Sequence, residues 1–285
     1  MFADSKRTKV FRHVFLILGC LLVMFPVYVT FVASTLSLGE IMTRPMQLIP
    51  GRHGLQNYYQ ALFFGGRGLG GAQRIGALVM IQNSMIMAVG ITVGKIIVSL
   101  LSSFAIVFFR FPGRTLAFWI ILVTLMLPVE VRIVPTYQLA STLGLLNSYM
   151  GLILPLAVSA TATFLFKQYF MSIPDQIVES AKIDGASAMR FFRSILVPMS
   201  RTPMASLVVI QFVYGWNQYL WPLLVTTQRR FYTLMIGIAR MLATGDHQAE
   251  WQVVMAMTIL SMIPTIIIVI GMQKAFVRGL TEADK

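Results

Sequence analysis

The chain has 285 residues, of which 57% are hydrophobic and only 12% carry a charge, and its formal net charge is +13. A mean hydropathy of +0.76 lies outside the range of soluble proteins and predicts an integral membrane protein in a lipid bilayer. Basic cytoplasmic loops explain an excess of Lys and Arg in such a protein, so no nucleic-acid partner is expected. One cysteine excludes an internal disulfide, and the three histidines lack the spacing of metal ligands, so no metal site is predicted.

Six apolar segments are long enough to be transmembrane helices. They cover approximately residues 13–35, 80–105, 116–138, 149–171, 203–225 and 252–272. The first follows the basic cytoplasmic tail of residues 1–12 and is longer than the apolar core of a cleaved signal peptide, which predicts a retained anchor. Residues 13–285 are therefore expected to form one all-α transmembrane domain.

The distribution of basic residues predicts the orientation of the chain. Lys and Arg are more frequent in the connections on the side of the N-terminus, so both termini are predicted to be cytoplasmic. Residues 36–79 then form an outer loop, whose G-x-G-x-x-G pattern has no βαβ unit around it and indicates a flexible loop, not a nucleotide site. Residues 231–243 are predicted to form a short helix at the outer surface.

The segment 172–202 is predicted to be cytoplasmic and is rich in charge, glycine and proline for so apolar a chain. Ser172 fits the start of a short helix, and Gly185 fits its end. Ser187 fits the cap of a second short helix, which Pro198 is expected to end. Helical periodicity alone would also suit two amphipathic helices that lie passively at the membrane interface.

The spacing in this segment resembles the EAA motif of ABC-importer permeases, in which E-A-A is followed after three residues by G and after nine more by I-x-L-P. The corresponding residues are Glu179, Ser180, Ala181, Gly185, Ile195, Val197 and Pro198. Ser180 in place of alanine and Val197 in place of leucine are mild departures. Asp184 begins "DGAS", which is typical of carbohydrate importers. With stretches such as "SATATFLFKQYFM", "YGWNQYLWPLL" and "KAFVRGL", nearly the whole chain resembles permeases of the carbohydrate-uptake type, closest to those for sn-glycerol 3-phosphate.

The resemblance implies a type I ABC-importer permease fold in the bacterial inner membrane and a role in the import of sn-glycerol 3-phosphate or glycerophosphodiesters. It implies a second permease, two copies of a cytoplasmic ATPase and a periplasmic substrate-binding protein as partners. The chain has no G-x-x-x-x-G-K-[ST] phosphate loop, so ATP and Mg²⁺ are expected on the ATPase, with no cofactor or catalytic residue here. By the same resemblance, Glu179 and the other motif residues dock on the ATPase, with Gly185 at the corner.

Polar residues within the spans are candidates for the substrate pathway. A lysine inside a span costs about 2.5–3.5 kcal/mol and is expected to face the helix interior, a pathway or a partner. The candidates are Lys95, Glu130, Arg132, Trp216, Asn217, Gln218 and Tyr219. Each has a structural alternative, since Glu130 and Arg132 could pair with each other, and the aromatic residues could anchor the chain at the membrane interface.

Three other functions remain open at this point. A permease for a different sugar or polyol would share the architecture. Half of a secondary carrier would also have six spans, but it should show repeat symmetry and would lack the EAA spacing. An intramembrane hydrolase would need a nucleophile beside a base, and the predicted spans offer isolated serines without histidine.

Overall fold

The computed structural model describes residues 6–67, 69, 75–127, 129–243 and 249–281, and the regular structure in these residues is helical throughout. This confirms the predicted all-α class. The helices are α1 (Lys6–Thr35), α2 (Leu38–Met42), α3 (Gly54–Phe63), α4 (Ala77–Phe108), α5 (Arg114–Met126), α6 (Val129–Thr142), α7 (Tyr149–Ile153), α8 (Ala160–Met171), α9 (Asp175–Ile183), α10 (Ala188–Phe191), α11 (Val197–Met199), α12 (Arg201–Trp216), α13 (Leu220–Val225), α14 (Leu234–Leu242) and α15 (Trp251–Thr281).

Helices suited to crossing a membrane fall into two groups. Within the described residues, three single helices are long and apolar enough: Thr8–Thr35, Ala77–Phe108 and Trp251–Gln273. Two bent pairs also pass when each is taken together, Tyr149–Leu156 with Ala160–Met171 at 49° and Ala188–Met199 with Arg201–Trp216 at 74°. The described part of the chain therefore holds three such spans, or up to five if each bent pair is one span.

Three of the predicted continuous spans are each divided into two helices. The segment 116–138 is split between α5 and α6 at Leu127, whose backbone is extended because the next residue is a proline. The segment 149–171 contains a 3₁₀ turn around Pro155, between α7 and α8. The segment 203–225 is split between Trp216 and Leu220. Apolar composition alone does not reveal these breaks.

One compact unit consists of the residues up to Met80 together with Gly237–Ile263. In this unit the Asn57 amide donates to the carbonyl oxygens of Ser34 and Leu36, at 2.9 and 2.8 Å, and ties α3 to the end of α1. The Glu250 carboxylate accepts from the backbone N–H of Arg67 at 2.7 Å. These contacts hold the residues that follow α1 and α3 close to the rest of the unit.

A capping box opens α2 in the same unit. The Ser37 backbone N–H donates to a Glu40 carboxylate oxygen at 2.7 Å, and the Glu40 N–H donates to the Ser37 hydroxyl at 3.4 Å. Because hydrogen bonds favour the charged form, the Ser37 N–H lowers the pKa of Glu40 below its ordinary value. The box therefore fixes the turn directly after α1.

The second unit consists of Ile81–Ile236 and the residues from Pro264 onward. In this unit Asn147 clamps a turn, because its side-chain oxygen accepts from the backbone N–H groups of Thr227 and Gln228 at 2.7 and 2.8 Å. Trp221 is buried in a core cluster and donates to the Gly151 carbonyl oxygen at 3.0 Å. This unit also contains the segment 172–202.

Helix α14 differs from the predicted surface helix. It lies at Leu234–Leu242, within the predicted range 231–243. However, Leu234, Ile236 and Met241 are completely buried. The helical spacing of its apolar residues reflects a packed face and not a face that lies on a membrane surface.

Close packing of α4 against the α7 region depends on Gly90 and Gly94. A Cβ atom at Gly90 would lie 2.6 Å from Cδ1 of Ile153, and one at Gly94 would lie 2.7 Å from Cβ of Ala157. The small-x-x-x-small spacing of these glycines predicts such an approach between membrane helices. The structure confirms this packing.

The contact between Gly94 and Ala157 leaves no space for a larger side chain at position 94. Gly94→Leu is expected to lower stability by about 1–3 kcal/mol, because the side chain has no room beside Ala157. Gly271→Leu is the matched control, since a Cβ at Gly271 meets nothing within 4 Å. Thermal unfolding of the detergent-solubilised variants measures the difference. Equal unfolding midpoints for the two variants would contradict the packing argument.

Candidate functional site

The first half of the segment 172–202 is helix α9, which ends in a glycine corner. Gly185 has a φ of 68°. Its N–H donates to the Lys182 carbonyl at 3.0 Å, and the Ala186 N–H donates to the Ala181 carbonyl at 2.9 Å. These are the two bonds of a Schellman motif, which uses glycine because a Cβ is strained in the left-handed conformation. The predicted corner at Gly185 is confirmed.

The predicted start of α9 is wrong. Ser172 caps the end of α8, and its hydroxyl donates to the Tyr169 carbonyl oxygen at 2.7 Å. Helix α9 begins three residues later at Asp175, after the extended residue Pro174. Serine suits both ends of a helix through local side-chain bonds to the backbone, so its identity alone did not decide the direction.

The second half of the segment is helical from Ala188 to Met199. The Ser187 hydroxyl accepts from the Arg190 N–H at 3.3 Å, which confirms the predicted cap. The chain passes through a π turn at Phe192–Leu196 and continues through α11 to Met199. The helical run therefore ends one residue after Pro198, which agrees with the predicted end to within one residue.

An aromatic cluster attaches this segment to α4 and α8. The ring of Phe192 lies 4.9 Å from that of Phe104, and the ring of Phe191 lies 5.4 Å from that of Phe108, measured between centroids. Phe108 also lies 5.9 Å from Phe170. Such pairs add to the stabilisation that burial provides. Since α4 is continuous, the segment is packed against the same helix that carries Lys95.

The EAA-like residues divide into a buried and an exposed set. Ala181 is buried, and Ile177, Val178 and Ile195 pack partly buried against the same cluster. Glu179, Ser180 and Asp184 are exposed, and Pro198 is half-buried. The side chain of Ile183 is 86% exposed, which is unusual for so large an apolar group on a charged helix. The outer face of α9 therefore combines carboxylates with one prominent apolar side chain.

A buried cation lies in the middle of α4. Lys95 is only 5% exposed. Its Nζ donates to Oε1 of Gln211 at 2.9 Å and lies 3.5 Å from the centroid of the Tyr214 ring. Neither of these two partners carries a negative charge. The ammonium is therefore held inside the helices by an amide dipole and an aromatic face.

A cavity of about 140 Å³ lies beside this cluster. Its polar lining comes from Arg132 and Thr136 on α6, from Tyr214 on α12 and from Gln218, which follows α12, while residues of the α7 and α13 regions supply apolar walls. Arg132 is exposed. Among the described residues of its lining the cation is Arg132, and a second cation, Lys95, contacts the Tyr214 ring.

The other predicted pathway residues have different surroundings. Trp216 is 1% exposed and stacks on Phe212 at 6.0 Å, so it belongs to the core. The Asn217 side chain donates to the Val213 carbonyl at the end of α12, and Tyr219 is exposed. Glu130 lies on α6, and its side chain is outside the described part of the structure.

Sequence reasoning missed Gln211, Tyr214 and Thr136. A signal for two of them was present, because Gln211, Tyr214 and Gln218 follow one another at spacings of three and four residues. Residues at such spacings share one face of a helix. A polar stripe in an otherwise apolar span indicates a face turned toward a cavity or toward other polar groups.

Comparison with known proteins agrees with this architecture. A solved structure described as a bacterial ABC transporter involved in the import of the acidic polysaccharide alginate matches with a TM-score of 0.81 and 21% identity, over 97% of this chain and 100% of that chain. At this identity the match shows the fold. The fold class is therefore that of a polytopic helical ABC-importer permease.

Relatives with higher identity narrow the assignment. The model of the family described as "binding-protein-dependent transport system inner membrane component" matches residues 84–282. The sn-glycerol-3-phosphate transport system permease protein UgpE of Salmonella typhi is 52% identical over 285 residues, 100% of both chains. The protein of the same name in Escherichia coli O1:K1 / APEC is 54% identical over 276 residues, 97% of both chains. The chain belongs to this family of inner-membrane transport components, and it is a transport subunit, not an enzyme.

Proposed function

We propose that the chain is one permease subunit of an ATP-driven importer of sn-glycerol 3-phosphate and forms half of the translocation pathway. The observation that carries this proposal is the 52% identity over the whole chain with the Salmonella typhi UgpE permease. Two cations near the cavity, Lys95 and Arg132, support an anionic substrate. They disfavour the alternative of a neutral sugar or polyol, because a desolvated cation needs a compensating charge. Glycerophosphodiesters also carry a negative charge and would compensate the cations in the same way.

In this proposal the subunit works inside a larger complex. The complex contains a second permease, two copies of a cytoplasmic ATPase that binds ATP and Mg²⁺, and a periplasmic substrate-binding protein. The family description, which names dependence on a binding protein, supports the last of these. The chain crosses the inner membrane six times with both termini in the cytoplasm. The segment 172–202 then lies on the side of the ATPase.

The exposed face of α9 is the proposed contact with the ATPase. Glu179, Ser180 and Asp184 provide polar groups, and Ile183 provides an apolar group that a groove on the ATPase would cover. Ala181 and Ile195 act from behind, because they pack in the same core cluster as residues of α4 and α8, and the half-buried Pro198 is proposed to help keep the two arms of the segment in place. Switching between two conformations requires such a stiff contact.

The candidate pathway residues have unequal support. Lys95, Arg132 and Gln218 lie in or next to the cavity, which supports a role in substrate passage. Glu130 shares α6 with Arg132. Asn217 and Tyr219 follow the end of α12, where a substrate that enters from the periplasm would pass. Burial of Trp216 favours a supporting role at this helix end.

Uptake by the reconstituted complex tests the proposal. Proteoliposomes that contain this chain with its companion permease and ATPase, and the binding protein outside, are expected to accumulate labelled sn-glycerol 3-phosphate only when ATP is inside. Maltose serves as the neutral control and is expected not to accumulate. Uptake that persists without ATP while an ion gradient is present would favour a secondary carrier, and preferential maltose uptake would favour a sugar permease.

A further inference from the structure

Tyr214 contacts the Lys95 ammonium and also lines the cavity. Tyr214 lines the cavity, whereas Lys95 is not among the described side chains that do so. A distance of 3.5 Å from Nζ to the ring centroid is direct contact, so no water molecule or substrate atom fits between them. The ammonium is thus buried and in contact with a residue of the cavity wall.

The partners of the ammonium are suited to being exchanged. A lysine ammonium has three donors, and the Gln211 oxygen at 2.9 Å takes one of them. The Tyr214 ring covers the ammonium on another side but accepts no ordinary hydrogen bond there. An anion in place of the ring would give a charge-assisted hydrogen bond, which is stronger than a contact with an aromatic face.

We propose that the Tyr214 ring is a movable cover over the Lys95 ammonium, which an anionic phosphate ester displaces on entering the cavity. This inference rests on the proposed function and adds a specificity-determining residue to it. A phosphate group compensates for the lost ring contact, because it pairs with Lys95 from one side and with Arg132 from the cavity wall. A neutral polyol offers no such compensation, since displacing the ring would leave a desolvated cation unpaired. The cover therefore selects for an anion before Lys95 takes part in binding.

Tyr214 has the freedom that such a movement requires. It is 36% exposed, whereas Lys95 and Gln211 are each 5% exposed. A side chain at the wall of a cavity can change its rotamer without rearranging a packed core. The amide and the ammonium are held by burial, and the Tyr214 ring is the member of the cluster with room to move.

Thiol labelling of position 95 tests the cover. The cysteine of the wild-type chain, Cys20, is first changed to serine, and Lys95→Cys is then introduced in the assembled transporter. A small water-soluble thiosulfonate is expected to modify the Lys95→Cys thiol slowly in the background with Tyr214 and in the background with Tyr214→Phe. With Tyr214→Ala the rate is expected to rise about tenfold, because a thiol reacts in proportion to its exposure. Equal rates with and without the ring would overturn the proposal.

Thr136→Cys in the same background is the control, because Thr136 lines the cavity on the other wall. Its modification is expected to be fast in every Tyr214 variant. Slow modification of this position would mean that water does not reach the cavity. This would also overturn the proposal, because an anion could then not enter the cavity and displace the ring. The labelling rates do not depend on which substrate is transported, so failure of the proposed function is recognised separately, by absent uptake of sn-glycerol 3-phosphate.

Competition by inorganic phosphate provides a second readout with Lys95 intact. Tyr214→Leu uncovers the ammonium permanently, so small anions should occupy it without displacing a ring. Uptake is expected to become about tenfold more sensitive to inorganic phosphate, a change that corresponds to about 1.4 kcal/mol. Lys95→Met combined with Tyr214→Leu should remove the added sensitivity. If the added sensitivity persists in the double variant, Tyr214 does not act through Lys95.

Discussion

Gly185→Leu is expected to reduce ATP-dependent uptake to background while the protein still inserts into the membrane and assembles. The substitution forces a side chain into a left-handed conformation at a φ of 68°, which costs about 1–2 kcal/mol. Relief of this strain rotates α9 away from the second half of the segment. In the proposed coupling the two arms move together, so transmission from the ATPase is expected to be lost. Uptake assays measure transport, ATP hydrolysis assays show whether the ATPase still works, and co-purification with the ATPase measures assembly.

Gly144→Leu is the matched control for this substitution. Gly144 has a φ of 67° and, like Gly185, has no atom within 4 Å of a Cβ. It also ends its helix with the same pair of bonds, from the Gly144 N–H to Ser141 and from the Leu145 N–H to Ala140. This variant carries the same backbone strain outside the segment 172–202 and is expected to retain uptake. Equal loss of uptake in both variants would attribute the effect to strain alone.

Glu179→Lys examines the same contact through charge. Glu179 is exposed and has no described role in packing α9. A reversed charge is expected to abolish uptake by repelling a basic residue on the ATPase, without lowering the thermal stability of this chain. Normal uptake by this variant would contradict a coupling role for the exposed face of α9.

Lys95→Met is expected to raise the half-saturating concentration of sn-glycerol 3-phosphate. A hydrogen bond to a charged group contributes about 1.5–3 kcal/mol, which corresponds to roughly a 10- to 100-fold change. The stability of the protein should not fall, because a buried cation costs free energy. Initial rates of uptake over a range of substrate concentrations, with thermal unfolding in parallel, measure both effects.

Lys167→Met provides the control, since the Lys167 Nζ lies 4.2 Å from the ring centroid of Phe118. It therefore removes a similar cation–π contact at a position outside the cavity lining. Its half-saturating concentration is expected to match that of the wild type. A second variant, Lys95→Met with Gln211→Leu, avoids leaving the Gln211 oxygen without its donor. Unchanged kinetics in both Lys95 variants would remove Lys95 from the pathway.

Features that depend on local chemistry were the most predictable. The corner at Gly185 and the cap at Ser187 followed from the conformational preference of glycine and the short polar side chain of serine. The long apolar helices α1, α4 and α15 lie close to their predicted positions, because a hydropathy pattern over twenty or more residues is a strong signal. Ser172 was interpreted incorrectly because serine is compatible with both ends of a helix.

Features that depend on contacts between distant segments could not be predicted in the same way. A charge inside the second span indicated that Lys95 turns inward, but its partners Gln211 and Tyr214 lie more than a hundred residues away in the chain. No local pattern states which helix α4 packs against. The breaks near Leu127 and Pro155 also depend on contacts with other segments. A proline in an apolar stretch can be accommodated in a helix or can divide it, depending on the residues that pack around it.

The continuity of α4 has a consequence for the energy efficiency of transport. About nine residues of uninterrupted helix, roughly 14 Å, separate Lys95 from Phe104, where the aromatic cluster begins. A helix of this length neither shortens nor stretches appreciably, so a displacement of the segment 172–202 carries Lys95 with it. In the proposed coupling, this continuity suppresses ATP turnover that moves the segment but leaves the pathway unchanged. Smaller side chains in place of Phe104 and Phe192 should therefore allow ATP hydrolysis without substrate transport. This effect is expected in variants whose amount of folded protein is still normal.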